Sequence, residues 1–388
     1  MNTYDWIVVG GGITGAALSY ELTDIGFSVL LLEQHASLQG ASRFSYGGLA
    51  YWAGTTPLMQ QLCESGIERY RSLSAELDSD IQFRELDLLL TISAGNDPEA
   101  AAAACAHFAI PSKLLSVAEA CALEPLLNPK AIAGALSVKH GHIQPEIATQ
   151  GYTQAFLRAG GVMQLAQVLG LLREGKQITG VKTVTENYHG ANVVICAGGL
   201  SRHLLRSAGI PIRLYFTHAE IIETPPVEVE LRTLVMPAQT QRFGLEAESS
   251  TPEIDKLWDE PGYEPVPPIL DAGAIQFLDG SLRLGQLSRV LTDPKANINP
   301  AQSEAAIRAG VGQMLPVLGN LPGTWHHCLV GFSRDHLPLI GAIPGFEGVH
   351  VFSGFSNPLV IVPPLAQRFA NWVTGQEDEI VARLSPSR

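Results

Sequence analysis

The sequence predicts an α/β fold combined with an α+β region, and two patterns support that prediction. Short apolar runs, each flanked by glycine or a polar turn as buried parallel strands are, stand far apart in the chain. They are Ile7–Val9, Val29–Leu32, Val193–Cys196 and Val349–Phe352. Stretches with helical character are Thr14–Gly26, Gln60–Asp78, Glu146–Ala159 and Pro363–Thr374. One α/β domain built from several chain segments is therefore expected, with a second domain formed by the residues between them.

The composition supports a sizeable core and argues against several classes of protein. Hydrophobic residues make up 46% of the 388 residues and charged residues 16%, which is atypical of a disordered chain. The formal net charge is −13, so nucleic acid is not expected as a partner. No uncharged apolar run reaches the roughly 18 residues of a membrane-spanning helix. No secretory signal is recognisable before the first strand, and a cytoplasmic location is therefore expected.

The cysteines and histidines do not predict a disulfide framework or a metal site. The five cysteines are odd in number and form no C-x-x-C pair. The pairs His140 with His142 and His326 with His327 lack carboxylates or cysteines at metal-binding spacings. No metal is expected.

Two segments of unusual composition lie in the middle of the chain. The run Ala100–Ala104 predicts a helix, because alanine has the highest helix propensity. The segment Thr224–Pro268 contains eight prolines and many acidic residues. It predicts strands linked by long irregular loops, a kind of region that often covers a functional site.

The sharpest motif is Gly10-Gly11-Gly12-Ile13-Thr14-Gly15, a G-x-G-x-x-G between the first predicted strand and the first predicted helix. The first glycine permits a tight turn, the second lets the backbone approach a diphosphate, and the third lets the helix pack against the strand. The N–H groups at the start of the helix attract the diphosphate.

An acidic residue completes this motif. Glu33 directly follows the second predicted strand, about 20 residues after the glycines, with Gln34 beside it. Its carboxylate can accept hydrogen bonds from the ribose hydroxyls and would repel a 2′-phosphate, which disfavours NADP. The unit predicts a Rossmann-like dinucleotide site but does not distinguish FAD from NAD.

A second glycine turn, Ala197-Gly198-Gly199, follows the predicted strand Val193–Cys196. It could bring another backbone turn to the same ligand. It is equally consistent with an ordinary connection between a strand and a helix, and both interpretations stay open.

Further short motifs follow one another along nearly the whole chain. They are Asp5–Glu33, Gly40–Arg43, Gly141–Pro145, Gly160–Val162 with Val168, Ala197–Gly199, Asp279–Gly285, Asp335–Gly341 and Ser353–Ser356. In this order and spacing the sequence resembles the FAD-dependent D-amino-acid oxidase superfamily, in particular its glycine oxidase and sarcosine oxidase branch.

This resemblance implies an enzyme with FAD as its cofactor and two domains. A Rossmann-like FAD-binding domain would comprise residues 1–80, 141–210 and 322–388, and a mostly antiparallel substrate domain residues 81–140 and 211–321. The reaction would oxidise a C–N bond of a small amine or amino acid by hydride transfer to flavin N5, and O₂ would reoxidise the flavin. The sequence gives no indication of the oligomeric state.

The resemblance also assigns residues to the cofactor. Ser42 and Arg43 match the stretch that approaches the diphosphate and the flavin, where a cation would stabilise a reduced anionic flavin. The other residues that the resemblance places at FAD are Val168, Ala197, Gly198, Gly354 and Phe355.

Two residues allow both a functional and a structural interpretation. Arg283 stands where the sarcosine oxidase branch has a lysine that activates oxygen. Its alternation with leucines is equally typical of an exposed strand face. Cys328 precedes Asp335 at the spacing of the cysteine that holds FAD through a thioether in that branch, and the alternative is a buried core residue.

The sequence departs from the family at two positions. Val330 stands where amino-acid-oxidising members usually carry an arginine that clamps the substrate carboxylate, and Arg334 is the candidate replacement. The loop after Gly354 lacks a further glycine or basic residue. These departures argue against a standard α-amino acid as substrate. Beside the oxidation of a C–N bond, they raise two alternatives, an FAD-dependent dehydrogenase of a 2-hydroxy acid or alcohol with an acceptor other than oxygen, and a non-catalytic flavin-binding subunit.

Overall fold

The computed structural model describes residues 3–356 and 358–388, which form two β-sheets with helices packed against them. Within these residues the strands are β1 (Thr3–Val9), β2 (Val29–Glu33), β3 (Gly48–Leu49), β4 (Arg84–Ser93), β5 (Lys113–Leu115), β6 (Ile132–His142), β7 (Val162–Leu165), β8 (Val168–Glu174), β9 (Gln177–Thr183), β10 (Asn187–Ile195), β11 (Tyr215–Glu223), β12 (Leu234–Pro237), β13 (Ile269–Gln276), β14 (Leu282–Arg289), β15 (Thr324–Phe332), β16 (Leu339–Ala342) and β17 (Val349–Ser353).

The helices of the same residues are α1 (Ile13–Asp24), α2 (Ala41–Phe44), α3 (Pro57–Glu76), α4 (Pro98–Ala104), α5 (Val117–Leu123), α6 (Pro145–Arg158), α7 (Ser201–Ser207), α8 (Arg242–Ser249), α9 (Pro300–Met314), α10 (Pro358–Trp372) and α11 (Glu379–Arg383). Short 3-10 helices lie at Gly198–Leu200 and Asp255–Asp259. None of the described helices combines the length and the apolar character that crossing a membrane requires.

The first sheet has the strand order β16-β17-β10-β1-β2-β7, with β9 beside β10 and β8 beside β9. The strand β1 pairs in parallel with β2 and with β10, which lies far away in the sequence. Strand order therefore reverses beside β1, and such a switch point opens a crevice at the carboxyl ends of the strands. Ile7 and Val8 are fully buried because helices and the rest of the chain cover both faces.

The predicted α/β fold is confirmed. The four predicted strands are found in β1, β2, β10 and β17, and the four predicted helices in α1, α3, α6 and α10. The alanine run lies in α4, as expected.

The second sheet has the order β15-β11-β14-β13-β12-β4-β6-β3, with β5 on β6. Its described pairs are antiparallel except β12 with β4. The helix α9 covers one face through Ile307 and Val311, which pack in one core cluster with Leu284 of β14. The residues of β11 are buried from Tyr215 to Ile222, and only its last residue, Glu223, is partly exposed.

The two sheets divide the chain differently from the predicted domains at β15. This strand pairs with β11 over its whole length, although it falls within the range 322–388 assigned to the FAD-binding domain. The strand β3 likewise pairs with β6 of the second sheet. The chain thus passes between the sheets four times, between β2 and β3, β6 and β7, β10 and β11, and β15 and β16. The domain boundaries themselves stay a prediction.

The proline-rich segment Thr224–Pro268 differs from the sequence expectation. It contains a single described strand, β12, and the helix α8 in place of several strands. The stretch from residue 238 to 251 has no proline, so nothing there interrupts helical hydrogen bonding.

Candidate cofactor and substrate site

The phosphate loop lies between β1 and α1, where the sequence predicts it. Gly10 has a φ of 107°, which favours glycine. A Cβ added at Gly15 would lie 1.8 Å from the Gly10 carbonyl oxygen, so the third glycine permits the contact between helix and strand. The residue before α1, Gly12, offers no capping side chain, and the first turn has no acidic residue. The start of this helix therefore suits an external anion.

Glu33 is fixed against this loop. Its Oε2 accepts a hydrogen bond from the N–H of Gly11 at 2.7 Å, and its Oε1 accepts one from the N–H of His35 at 2.9 Å. The carboxylate is thus held at the carboxyl end of β2 beside the glycines. Gln34 follows it as an exposed residue.

Two further predicted segments meet the phosphate loop. The Ser42 Oγ accepts a hydrogen bond from the N–H of Ile13 at 2.9 Å, which brings α2 to the start of α1. A Cβ on Gly10 would lie 3.1 Å from the Cα of Ala197, so the second glycine turn also lies at the loop. The Thr14 Oγ1 donates to the carbonyl oxygen of Cys196, at the end of β10.

These residues fit FAD. The loop has glycines where side chains would fill the space. The residue before α1 has no side chain that caps the helix, and a carboxylate lies at the end of β2. The structure brings together Gly10, Gly12, Ile13, Thr14, Gly15, Glu33, Ser42 and Ala197.

The other predicted cofactor residues lie on β8, in the second glycine turn and in the final loop. Gly198 is exposed and has a φ of 53°, and Val168 is half-buried at the start of β8. Gly354 has a φ of 82° and follows β17. Phe355 is buried, with its ring centroid 4.9 Å from that of Phe352. Asn357, in the same final loop, lies outside the described residues.

Arg43 and Arg283 meet in a group that we call the arginine cluster, which consists of Arg43, Glu146, Glu223, Arg283 and His326. The Arg43 Nη1 and Nη2 donate to the two carboxylate oxygens of Glu223 at 2.8 and 2.9 Å. The Arg43 Nε lies 3.1 Å from Oε2 of Glu146. The Arg283 Nη2 lies 3.2 Å from Oε1 of Glu223, and the His326 Nε2 lies 3.7 Å from its Oε2.

Arg283 is only 1% exposed, so its interpretation as part of an exposed strand face is wrong. Glu223 lies directly opposite it across β11 and β14. The guanidinium also donates to the carbonyl oxygen of Ser45 and lies over the ring of Phe277 at 4.5 Å. Burial lowers the pKa of Arg283, and the charge of Glu223 opposes that shift.

The pKa values of the other members follow from the same contacts. Burial alone would raise the pKa of Glu223, but the hydrogen bonds from Arg43 and the charge of Arg283 outweigh burial and lower it. The hydrogen bond to Glu223 raises the pKa of Arg43. Burial lowers the pKa of His326 below its usual value. The expected state at neutral pH is therefore two guanidinium cations, ionised Glu223 and neutral His326.

Cys328 lies on β15 two residues after His326, so both side chains are on the same face of the sheet. The cysteine is buried, and burial raises the pKa of its thiol to about 12 even though Arg283 and Arg242 act in the opposite direction. The thiol is therefore neutral at physiological pH. The two interpretations of Cys328, a thioether link to FAD and a buried core residue, both stay open at this point.

Val330 pairs with Thr217 across β11 and β15. The Thr217 Oγ1 donates to Oε1 of the buried Glu246 at 3.1 Å. Arg242, one turn earlier on α8, donates through Nη2 to the carbonyl oxygen of Ser356 at 2.9 Å. The helix α8 thus reaches the final loop. That the proline-rich segment covers a functional site stays a prediction.

Arg334 lies on an exposed turn after β15 and forms no ion pair with the described residues. Its role as a carboxylate anchor stays a prediction. Sequence reasoning missed Glu146, Glu223, Arg242 and Glu246 as residues of this region. No motif marks them, and only the composition of the proline-rich segment gave a signal for the two on α8.

Comparisons with known proteins agree with this geometry. A family model described as "FAD dependent oxidoreductase" (DAO) matches residues 5–372. The glycine oxidase of Pseudomonas aeruginosa is 24% identical and covers 96% of this chain and 95% of its own. The crystal structure of glycine oxidase from Geobacillus kaustophilus superimposes with a TM-score of 0.81 at 19% identity, covering 100% of this chain and 99% of the other.

Two further relatives match in part. The 4-methylaminobutanoate oxidase (formaldehyde-forming) of Paenarthrobacter nicotinovorans is 28% identical over 58% of this chain and 28% of its own. One subunit of the anaerobic glycerol-3-phosphate dehydrogenase of Escherichia coli strain K12 is 27% identical over 54% of this chain and 40% of its own. The matches thus span well under half the length of these two proteins.

Proposed function

The chain belongs to the family of FAD-dependent oxidoreductases, and from this premise we propose that it oxidises a C–N bond of a small amine or amino acid. Membership of the family confirms the prediction of an enzyme that uses FAD. FAD held by these residues would supply a hydride acceptor. Loss of a hydride from the carbon and of a proton from the nitrogen of the substrate would leave an imine, which water would hydrolyse. We propose O₂ as the final electron acceptor.

The observation that carries the proposal is the extent of the likeness to glycine oxidase. That relative matches 96% of this chain and 95% of its own, so both sheets and their connections are included. The likeness to the glycerol-3-phosphate dehydrogenase covers 54% of the chain and 40% of that protein. A shared substrate region is therefore better supported for a C–N oxidising relative.

The residues of the chain have separate tasks in this proposal. The start of α1 holds the diphosphate, and Glu33 binds the adenosine ribose. Arg43 and Arg283, paired with Glu146 and Glu223, lie where the chain crosses from the phosphate loop to the second sheet. Burial of Arg283 excludes water from its guanidinium and so strengthens its electrostatic effect.

An anaerobic substrate screen tests the proposal. The purified holoenzyme is mixed without oxygen with amines, N-methylated amines, amino acids and hydroxy acids, and the absorbance of the oxidised flavin is followed. We expect bleaching by a compound with a C–N bond, and release of peroxide when air is admitted. Bleaching by hydroxy acids or alcohols alone would overturn the proposal.

A second candidate is an FAD-dependent dehydrogenase of an alcohol or 2-hydroxy acid. Two observations favour it, Val330 in place of the usual arginine and the likeness to the glycerol-3-phosphate dehydrogenase. In the same screen a hydroxyl substrate would bleach the flavin of such an enzyme. The reduced flavin would then transfer electrons to a quinone analogue faster than to O₂. Rapid peroxide formation with an amine would exclude it.

A further inference from the structure

Glu223 binds both arginines of the cluster through one carboxylate. Arg43 donates to both of its oxygens, at 2.8 and 2.9 Å, in the forked geometry of a guanidinium on a carboxylate. Arg283 approaches Oε1 through Nη2 at 3.2 Å and through Nε at 3.4 Å. A carboxylate held by two arginines in this way occupies the positions that a bound carboxylic acid would otherwise take.

The charges of the arginine cluster balance. The two guanidiniums contribute two positive charges, and Glu223 and Glu146 contribute two negative charges. His326 adds none near neutral pH, because burial lowers its pKa. The two cations of the cluster are therefore matched by two anions, and the cluster itself has no surplus positive charge to attract an anionic substrate.

The position of the cluster links it to the cofactor. Ser42, the neighbour of Arg43, accepts a hydrogen bond from the start of α1, where the diphosphate is expected. Ser45, on the same connection, accepts one from Arg283. The arginines are thus tied to the chain that leads away from the phosphate loop.

We propose that the carboxylate of Glu223 itself fills a carboxylate-binding site formed by Arg43 and Arg283. These arginines therefore do not bind the carboxylate of the substrate. The carboxylate of Glu223 positions both guanidiniums and cancels one of their charges. The substrate then presents an uncharged or cationic amine to this part of the site. This last step rests on the proposed function, whereas the role of Glu223 does not.

The role of Glu223 is tested by removing its side chain and adding a small carboxylate that can take its place between the arginines. Glu223→Ala holoenzyme is titrated with acetate, and with acetamide as the neutral match, while the thermal unfolding midpoint and the flavin absorbance are recorded. Because the variant leaves both guanidiniums without this carboxylate partner, we expect acetate to bind it at least about tenfold more tightly than the wild type. Acetamide should not stabilise it.

Glu146→Ala is the matched control, because Glu146 contacts Arg43 but not Arg283. It should show no acetate-specific rise in the unfolding midpoint. A rise of equal size in Glu146→Ala or in the wild type would overturn the proposal, as would the absence of a rise in Glu223→Ala.

A second variant covers the case in which Glu223→Ala does not fold. Glu223→Gln keeps the shape of the side chain and removes its charge, so it should bind sulfite, an anion that adds to flavins, about tenfold more tightly than the wild type. Unchanged sulfite affinity would overturn the proposal. Neither measurement uses a substrate. Both therefore test the role of Glu223 even if the anaerobic screen finds no substrate with a C–N bond.

Discussion

Gly15 is the residue on which the shape of the phosphate loop depends most directly. A Cβ at this position would lie 1.8 Å from the carbonyl oxygen of Gly10, and the obstacle is backbone that has no rotamer to change. We expect Gly15→Ala to cost about 1–3 kcal/mol through overpacking and to lower the ratio of FAD to protein. Absorbance of the purified protein measures that ratio.

Gly170→Ala is the matched control, because nothing lies within 4 Å of a Cβ added there. It should bind FAD like the wild type. Equal flavin content in the two variants would show that the contact between α1 and β1 does not depend on Gly15.

Cys328 gives a prediction about how FAD is held. Thioether formation needs a reactive thiolate, and burial raises the pKa of this thiol to about 12. We therefore expect non-covalent FAD, which acid precipitation releases into the supernatant. Cys328→Ala should release the same fraction, and a yellow wild-type pellet would contradict the expectation.

Whether a contact of the site could be predicted depends on how far apart its residues lie in the sequence. The phosphate loop and Glu33 belong to one local β-α-β unit, whose spacing is visible in the sequence. Arg43 and Glu223 are 180 residues apart, and no local pattern connects them. The burial of Arg283 was equally hidden, because alternation with leucines does not show which face of a strand is covered.

Among the helices, α10 shows how a tertiary contact changes an expected boundary. The sequence places a helix start at Pro363, since proline is favoured in the first turn. In the structure Pro363 and Pro364 lie inside α10, which begins at Pro358. Pro363 cannot donate to the carbonyl oxygen of Leu359, and the Tyr70 hydroxyl of α3 donates to it instead at 2.6 Å.

Tyr70→Phe is therefore expected to destabilise the protein by about 1–3 kcal/mol, because it leaves a buried carbonyl oxygen without a donor. Thermal unfolding of the holoenzyme measures the loss. Tyr188→Phe removes a hydroxyl that bonds an exposed glutamate, and it should have almost no effect. Similar midpoints for the two variants would argue against the role of Tyr70.

Across the full chain, the site depends on contacts that join the two sheets. The arginine cluster connects α2 and α6 to β11 and β14. The sequence predicts the local elements of each sheet but not these contacts, because each is made by single side chains from distant segments. The proline-rich segment Thr224–Pro268 is also held by single side chains from a distant part of the chain.

Arg202 connects the proline-rich segment Thr224–Pro268 to the first sheet. It lies on α7, is 4% exposed, and contacts Asp255 and Asp259 of the 3-10 helix at 3.1 and 2.9 Å. Its Nη1 also donates to the carbonyl oxygen of Ile212 at 3.2 Å. Loss of these charge-assisted bonds should release the 3-10 helix and the segment that precedes it.

We expect Arg202→Gln to lose about 1–3 kcal/mol of stability and to be cut by protease within residues 224–268 faster than the wild type. Arg206→Gln is the control, since Arg206 lies on the same helix and also contacts Asp259 but is largely exposed. Limited proteolysis with mass spectrometry locates the cuts. Equal cleavage rates in the two variants would mean that the segment is held by its apolar contacts, such as buried Trp258, and not by Arg202.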